Sequence, residues 1–385
     1  MIAAFDFATA GCLRFGRGTA EEAAGIAAGL GRRVLVLRSA SVAAADRIAD
    51  QLRREGVAVT TRISRGEPDL PGILASLEEA RGVAPDLILA IGGGAVIDHG
   101  KALAALLPAP HGPMRHLEVV GEGRPLDAEP LPLIAVPTTA GTGAEVTRNA
   151  VIGIPGATPN AGRKVSLRDA RMLPRVALVD PALTDSCPRP VTLASGLDAL
   201  TQVIEAYACT RANPMTDALC RMVLPMGLPA LARLMRTQDR TQDAGARDAM
   251  ALTSVAGGIA LANAGLGAVH GLAGVIGGRT GAAHGAICGA LLVPVLRANL
   301  AAAPAGSAAE ARLRWVTGAI AQDFGSLEDF AAWTRDMGLP GLSQLGVDAA
   351  LHADIASAAR ASSSFKANPA PLDDAALIAA LAAAG

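Results

Sequence analysis

The order of apolar and polar positions divides the chain into two textures. Up to about residue 180, short apolar runs alternate with stretches of helical period. Val34-Leu35-Val36-Leu37 reads as a buried strand, and Ala43 to Arg54 as an amphipathic helix with Ile48 and Leu52 four apart. Val57 to Ile63 reads as a second strand, Asp86 to Ile91 as a third and Leu133 to Val136 as a fourth. Between the second and third, Asp69 to Ala80 is helical, with Asp69 where a helix-starting side chain is expected. Strands alternating with helices imply βαβ units and a mostly parallel sheet. Past Asp180-Pro181 the strand signals cease, and Ala, Leu and Met recur in long helical periods broken by Gly or Pro. The pattern predicts an α/β domain over 1–181 and an all-helical domain over 182–385.

Composition narrows the function classes. A chain of 385 residues fits two domains at roughly 150 residues each, and 51% hydrophobic against 18% charged residues excludes a disordered chain. Aromatics at 2% supply no stacking platform for single strands, and a net charge of -1 creates no field for nucleic acid or an anionic membrane. The five cysteines are odd in number and form no CxxC pair, and the first residues lack a basic, then apolar leader; a reducing, cytoplasmic setting is expected. Ala251 to Gly278 carries no charged residue and is long enough to span a bilayer. Its Gly and Ala content, Asn263, His270 and Gly277-Gly278 instead predict a buried helix pair. Small-residue helices of this kind pack closely and offer a surface for a homodimer or higher homo-oligomer.

Two loops carry candidate chemistry in the first half. Gly92-Gly93-Gly94-Ala95 follows the third strand and opens a helix from Val96 to Leu106. Glycines admit a ligand close to the backbone, and the amides at a helix start favour a phosphate. The run is not a GxGxxG fingerprint, and alone it is equally a tight strand-to-helix turn. Pro137-Thr138-Thr139-Ala140-Gly141-Thr142-Gly143-Ala144-Glu145-Val146-Thr147 follows the fourth strand and belongs at the same carboxyl edge, where open α/β sheets bind ligands. Its hydroxyls suit a phosphate or a carboxamide, and together the loops point to a nucleotide site.

In the helical half, Asp198 and Gln202 lie four apart on one helix face, and His270 and His284 follow beyond it. One Asp and two His suit Zn²⁺ or Fe²⁺ with a position open for substrate, although such histidines also occur hydrogen-bonded in cores. Cys288, near His284, reads as buried packing with a zinc ligand as the alternative, and Glu205 as a helix-face charge or a partner to a ligand. Met222, Met226 and Met235 read as core or interface filler, and His99, His111, His116 and His352 as surface residues.

Taken in order, Gly92 to Asp98 with Lys101, then Pro137 to Thr147, then Asp198-Ala199-Leu200-Thr201, then His270-Gly271-Leu272-Ala273 through His284-Gly285 resemble the iron-containing (group III) alcohol dehydrogenase family, from Phe15-Gly16 to about residue 300. The resemblance implies a dinucleotide-binding domain joined to an all-α domain, the dehydroquinate-synthase-like architecture, with the active site in the cleft. It implies that Gly93, Gly94 and Ala95 contact the pyrophosphate, that Asp98 lies near the nicotinamide side, and that Thr138, Thr139, Thr142 and Lys164 line the cofactor. Asp198, Gln202, His270 and His284 would hold Fe²⁺ or Zn²⁺, the Gln202 carboxamide oxygen binding less well than an imidazole, with Lys164 and His270 as the catalytic pair and a small alcohol, aldehyde or ketone as substrate. Where family members usually have a second ligand His the chain has Gln202, and where a further His is frequent it has Gly274. Leu37-Arg38-Ser39-Ala40-Ser41 lacks the carboxylate typical of NAD-preferring members, so the reading inclines to NADP(H), with Arg38 and Ser39 near the 2′-phosphate; Arg38 otherwise ends its strand in solvent.

The degraded ligand set leaves a metal-independent carbonyl reductase of maleylacetate-reductase type as the alternative. A phosphate-handling lyase of dehydroquinate-synthase type fits poorly, since Asn263 to Gly289 contains only Arg279 as a basic residue. A dinucleotide-binding protein without catalysis is motivated by Gln202 and Gly274 and opposed by the retention of Asp198, His270, His284 and both loops.

Overall fold

The computed structural model describes residues 3–158, 160–236 and 243–385. The first half runs β1 (Leu13–Phe15), α1 (Ala23–Leu30), β2 (Arg33–Arg38), α2 (Ala43–Arg54), β3 (Ala58–Ile63), α3 (Leu70–Val83), β4 (Leu87–Gly92), α4 (Gly94–Leu106), β5 (Leu133–Pro137), β6 (Asn149–Ile154), β7 (Arg163–Arg168) and β8 (Val176–Val179). Six strands form a parallel sheet in the order β1-β8-β5-β4-β2-β3. Every residue of β4 is buried, as expected for a central strand covered on both faces. The Asp69 carboxylate accepts the Gly72 amide at 2.8 Å and starts α3, as its position in the sequence predicts.

Three features lie outside the sequence expectation. The sheet gains β1 and β8 at one edge, and β6 pairs antiparallel with β7 as a separate ribbon. The helix after the glycine turn begins at Gly94 rather than Val96. Strand order reverses between β2 and β4, because β3 lies outside β2 while β4, β5 and β8 extend the other way. The crevice at the carboxyl ends of β2 and β4 is therefore the switch point at which such sheets bind ligands.

The second half is helical: α5 (Arg189–Ala208), α6 (Pro214–Arg236), α7 (Ala244–Asn263), α8 (Ala268–Thr280), α9 (His284–Ala302), α10 (Ala308–Phe324), α11 (Leu327–Asp336), α12 (His352–Arg360) and α13 (Asp374–Ala383). The uncharged stretch at 251–278 forms most of α7 and α8, which meet at 98° and bury most of their residues. By length and composition α6 and α9 are also apolar enough to cross a membrane, and just over half of each apolar window is buried within the protein. Leu197, Leu200, Val203 and Ile204 of α5 pack with Val223, Leu224 and Leu231 of α6 and Leu292 and Leu296 of α9 in one core. Ala177 and Val179 of β8 pack with Val146 and with Val255 and Ile259 of α7, which joins the halves. Met235 is buried, whereas Met222 and Met226 are exposed on α6.

Two histidines expected at the surface are buried instead. His116 is 2% exposed, with its Nδ1 against the carbonyls of Arg124 and Pro125 at 3.2 and 3.1 Å. His99 sits 2.9 Å from both the Ser64 and Ser76 hydroxyls. Because Ser76 donates to the Gly72 carbonyl at 2.6 Å, it accepts from Nε2–H of His99, whose Nδ1 then accepts from Ser64. The enclosed ring is held neutral, and burial lowers its pKa to about 4. A depressed imidazole pKa gives stability that is complete above the unfolded value of 6.5 and is lost as the pH falls through the folded value of about 4. Urea denaturation across that window should show a loss of stability smaller by about 3 kcal/mol in His99→Gln than in the parent protein. Equal pH dependence in the two would refute this account of His99.

Candidate active site

The glycine turn sits at the switch point. Gly93 precedes α4 without a side-chain cap, which leaves the first amides of the helix facing the crevice. Gly92 packs so closely that a Cβ there would stand 2.5 Å from the Ser39 hydroxyl at the end of β2. A Cβ on Gly94 would overlap the Thr142 side chain, and one on Gly93 would stand 3.3 Å from the Thr139 hydroxyl. The structure thus brings Ser39, Gly93, Gly94, Ala95, Thr138, Thr139 and Thr142 to one edge, as the sequence implies.

Asp98 and Arg38 both have partners within the protein. Asp98 accepts the Val151 amide of β6 at 3.1 Å and lies 3.2 Å from the Lys101 ammonium. Lys101, fully buried, also donates to the Thr147 hydroxyl and the Asn149 carbonyl, each at 2.8 Å. Burial raises the Asp98 carboxyl and lowers the Lys101 ammonium, and each offsets part of the other's shift. The carboxylate therefore ties α4 to the ribbon. Beside it, burial pushes the Glu145 carboxyl up to about 7. Arg38 is 8% exposed rather than solvated; it pairs with Asp46 and donates to the carbonyls of Ser39 at 3.1 Å and Val42 at 3.0 Å. Its fork is committed to the start of α2.

Across the cleft, four side chains from three helices converge. Asp198 projects from α5, His270 from the first turn of α8, and His284 and Cys288 from one face of α9. Gly285 permits the approach, because a Cβ there would strike the Ala194 carbonyl of α5. Asp198 Oδ1 lies 3.4 Å from His270 Nε2 and 3.6 Å from His284 Nε2, and Cys288 Sγ lies 3.6 Å from His284 Nε2. Asp198, His270 and Cys288 are closed off, while the His284 side chain keeps 28% exposure and marks the open side.

Glu205, two turns along α5 from Asp198, explains the orientation of His270. Its carboxylate accepts the amides of Val269 at 2.7 Å and His270 at 3.3 Å, capping α8 from another helix, and meets His270 Nδ1 at 2.7 Å. With Nδ1–H given to Glu205, the Nε2 lone pair faces Asp198 Oδ1. That oxygen is buried without a hydrogen-bond partner. Two lone-pair sites facing each other out of water require a cation between them, and the protein satisfies this with a proton or a metal. Burial opposes charging His270, but Cys288, Asp198 and Glu205 outweigh it and hold its pKa well above the ordinary range. His284 is likewise raised by Cys288 and Asp198 against its burial. Asp198 and Cys288 are lowered despite burial, chiefly by His284 with His270. The donor set and the orphaned carboxylate oxygen fit a divalent metal.

Gln202 is on the same face of α5 as Asp198. Its Nε2 donates to the Gly141 carbonyl at 2.9 Å, and its buried Oε1 has no partner. Lys164 reaches from β7 over α8, where a Cβ on Gly277 would stand 2.7 Å from its ammonium, and it pairs with Glu67. At Gly274 a Cβ would meet nothing within 4 Å. The sequence groups Asp198, His270 and His284 and favours packing over a zinc ligand for Cys288; its spacing of four from His284 puts its sulfur in the same cluster.

Comparison with known proteins agrees with this geometry. The family model for iron-containing alcohol dehydrogenase matches residues 11–181, and that for the C-terminal region of the same family matches residues 192–385. The chain is 37% identical over 253 residues to the probable alcohol dehydrogenase EutG of Salmonella typhimurium, an alignment covering 66% of this chain and 61% of that protein. It is 33% identical over 355 residues to the 4-hydroxybutyrate dehydrogenase of Cupriavidus necator, covering 89% of each. The crystal structure of a 1,3-propanediol oxidoreductase superposes with a TM-score of 0.86 at 28% identity, covering both chains fully.

The crowding at Gly94 carries a prediction. Gly94→Ala should leave the circular dichroism spectrum unchanged yet raise the Kd for nicotinamide dinucleotides at least about tenfold, because Thr142 must yield. An unaltered Kd by fluorescence titration would remove Gly94 from the binding loop.

Proposed function

The chain belongs to the iron-containing alcohol dehydrogenase family, a family of oxidoreductases, and from that premise we propose that it interconverts a small alcohol and its aldehyde or ketone with NAD(P)(H). The observation that carries this reading is the meeting of Asp198, His270 and His284, with a carboxylate oxygen lacking a partner, across the cleft from the Gly/Thr loops. The division into 1–181 and 182–385 puts that cleft between the units. Five free thiols suit a reducing, cytoplasmic setting.

In this reading Gly93, Gly94 and Ala95 receive the pyrophosphate at the start of α4, and Thr138, Thr139 and Thr142 orient the nicotinamide end. Asp198, His270 and His284 would hold Fe²⁺ or Zn²⁺, which when bound polarises the substrate oxygen while hydride passes to or from the nicotinamide. Glu205 fixes the tautomer and angle of His270. Lys164 brings its ammonium toward the cleft from the β7 side. Gly274 offers no proton relay, so the exchanged proton passes through another group or water.

Elemental analysis of protein re-equilibrated with Fe²⁺ and Zn²⁺ should find about one metal per chain, lost together with turnover in Asp198→Ala. Metal-free protein that still oxidises NAD(P)H with aldehydes or ketones would establish the alternative, a metal-independent carbonyl reductase, which Gln202 motivates. The nucleotide preference should be shallow. No carboxylate ends β2 to oppose a 2′-phosphate, and Arg38 is already engaged by Asp46. NADPH should exceed NADH in kcat/KM by less than about tenfold; a hundredfold preference for either would contradict this.

A further inference from the structure

We propose that Cys288 is the fourth protein ligand of the cluster, making an Asp198–His270–His284–Cys288 set that selects Zn²⁺ over Fe²⁺. The inference rests on the metal reading above and goes beyond it in donor and metal; the substrate oxygen would then enter as a fifth ligand from the side on which His284 is exposed. Cys288 lies one turn past His284 on α9 and is fully buried, and its ligand atom and those of the other three all fall within 4.8 Å of one another. Three of the separations have the dimensions of a coordination shell. A tetrahedral ion with bonds of about 2.0–2.1 Å to N or O and about 2.3 Å to S sets its ligand atoms about 3.3–3.6 Å apart. The measured separations are 3.4 Å for Asp198–His270 and 3.6 Å for both Asp198–His284 and Cys288–His284. The two carboxylate–imidazole separations are too long for good N–H···O hydrogen bonds, and Asp198 Oδ1 counts none.

The chain also shows why a fourth donor comes from α9. At the position where related chains place an imidazole, the Gln202 amide nitrogen is spent on the Gly141 carbonyl. The behaviour of another buried cysteine supplies the contrast. Cys209 turns its thiol back on the Ala206 carbonyl of its own helix, the ordinary arrangement for a core cysteine. Cys288 directs its sulfur at His284 instead. A thiolate beside two imidazoles and one carboxylate is a borderline-soft set, which favours Zn²⁺ and its spectroscopic substitute Co²⁺ over Fe²⁺ in an oxygen- and nitrogen-rich shell.

The test is cobalt substitution of the full chain after chelator treatment. Co²⁺-loaded protein should show a sulfur-to-cobalt charge-transfer band in the near ultraviolet, retained in Gln202→Ala and absent in Cys288→Ser. Chelator competition should show Zn²⁺ affinity lower by at least about tenfold in Cys288→Ser. X-ray absorption of the Zn²⁺-loaded parent protein needs no variant and should find one sulfur at about 2.3 Å, which decides the matter even where Cys288→Ser fails to fold. Cobalt bound with ligand-field bands only, or zinc with nitrogen and oxygen neighbours only, would overturn the role of Cys288 while leaving the metal reading intact. Failure of the parent protein to bind Co²⁺ or Zn²⁺ would overturn both.

Discussion

Backbone meets backbone where Gly143 passes Gly258, and the placement of both chemical centres depends on that contact. Gly143 has φ of 59°, and a Cβ on it would stand 2.5 Å from Gly258 Cα. Neither position admits a side chain. The loop that continues β5 is thereby pressed onto α7, and its Gly141 lies against Ser195 and accepts from Gln202, both on α5. Asp198 stands between those two residues on the same helix. One helix therefore carries the register of the dinucleotide loop and the position of the carboxylate, and the apolar cluster of Val146, Val179, Val255 and Ile259 seals the joint. Each such aliphatic side chain contributes about 1.5–3 kcal/mol when fully buried.

The two acids on α5 divide their work by how well they are satisfied. Glu205 has the Val269 and His270 amides and an imidazole N–H, so its charge is spread over helix-terminal donors and it acts as an anchor. Asp198 is equally buried, and its Oδ1 has no donor. Leaving a carboxylate oxygen in this condition costs about 1–3 kcal/mol or more, and a cation removes the cost. The difference between the two acids is one of satisfied against unsatisfied oxygens, and it is what the proposed roles of Asp198 and Glu205 rest on.

Much of this was legible locally. The buried strands β2, β4 and β5 and the cap at Asp69 follow from period and from single side chains, and the two loops announce themselves by Gly and Thr in uninterrupted order. The ribbon was not legible, because β7 (Arg163–Arg168) alternates polar with apolar residues and is buried on one side only. β8 is four apolar residues running into Asp180-Pro181, too short to separate from the domain junction. The burial of His99 depends on Ser64 and Ser76, 35 and 23 residues away in sequence, and the task of Glu205 on residues 64 and 65 away. The partners of Arg38, Asp46 and the carbonyls of Ser39 and Val42, are likewise set by the fold of the β2–α2 turn. The pairings of His99 and Glu205 are tertiary, and no window along the chain contains them.

The two departures from the resemblance change the cleft in opposite senses. At 202 an imidazole would spend its lone pair on a metal; the carboxamide instead donates across the domain boundary to Gly141 and tightens the joint described above. On α9, His284 and Cys288 share one face of the cluster. At 274 the change removes matter rather than moving it: the space a Cβ would enter holds nothing within 4 Å, one turn past His270. The same Asp198 and His270 therefore stand between a joint tightened by the Gln202–Gly141 hydrogen bond and an open space at Gly274.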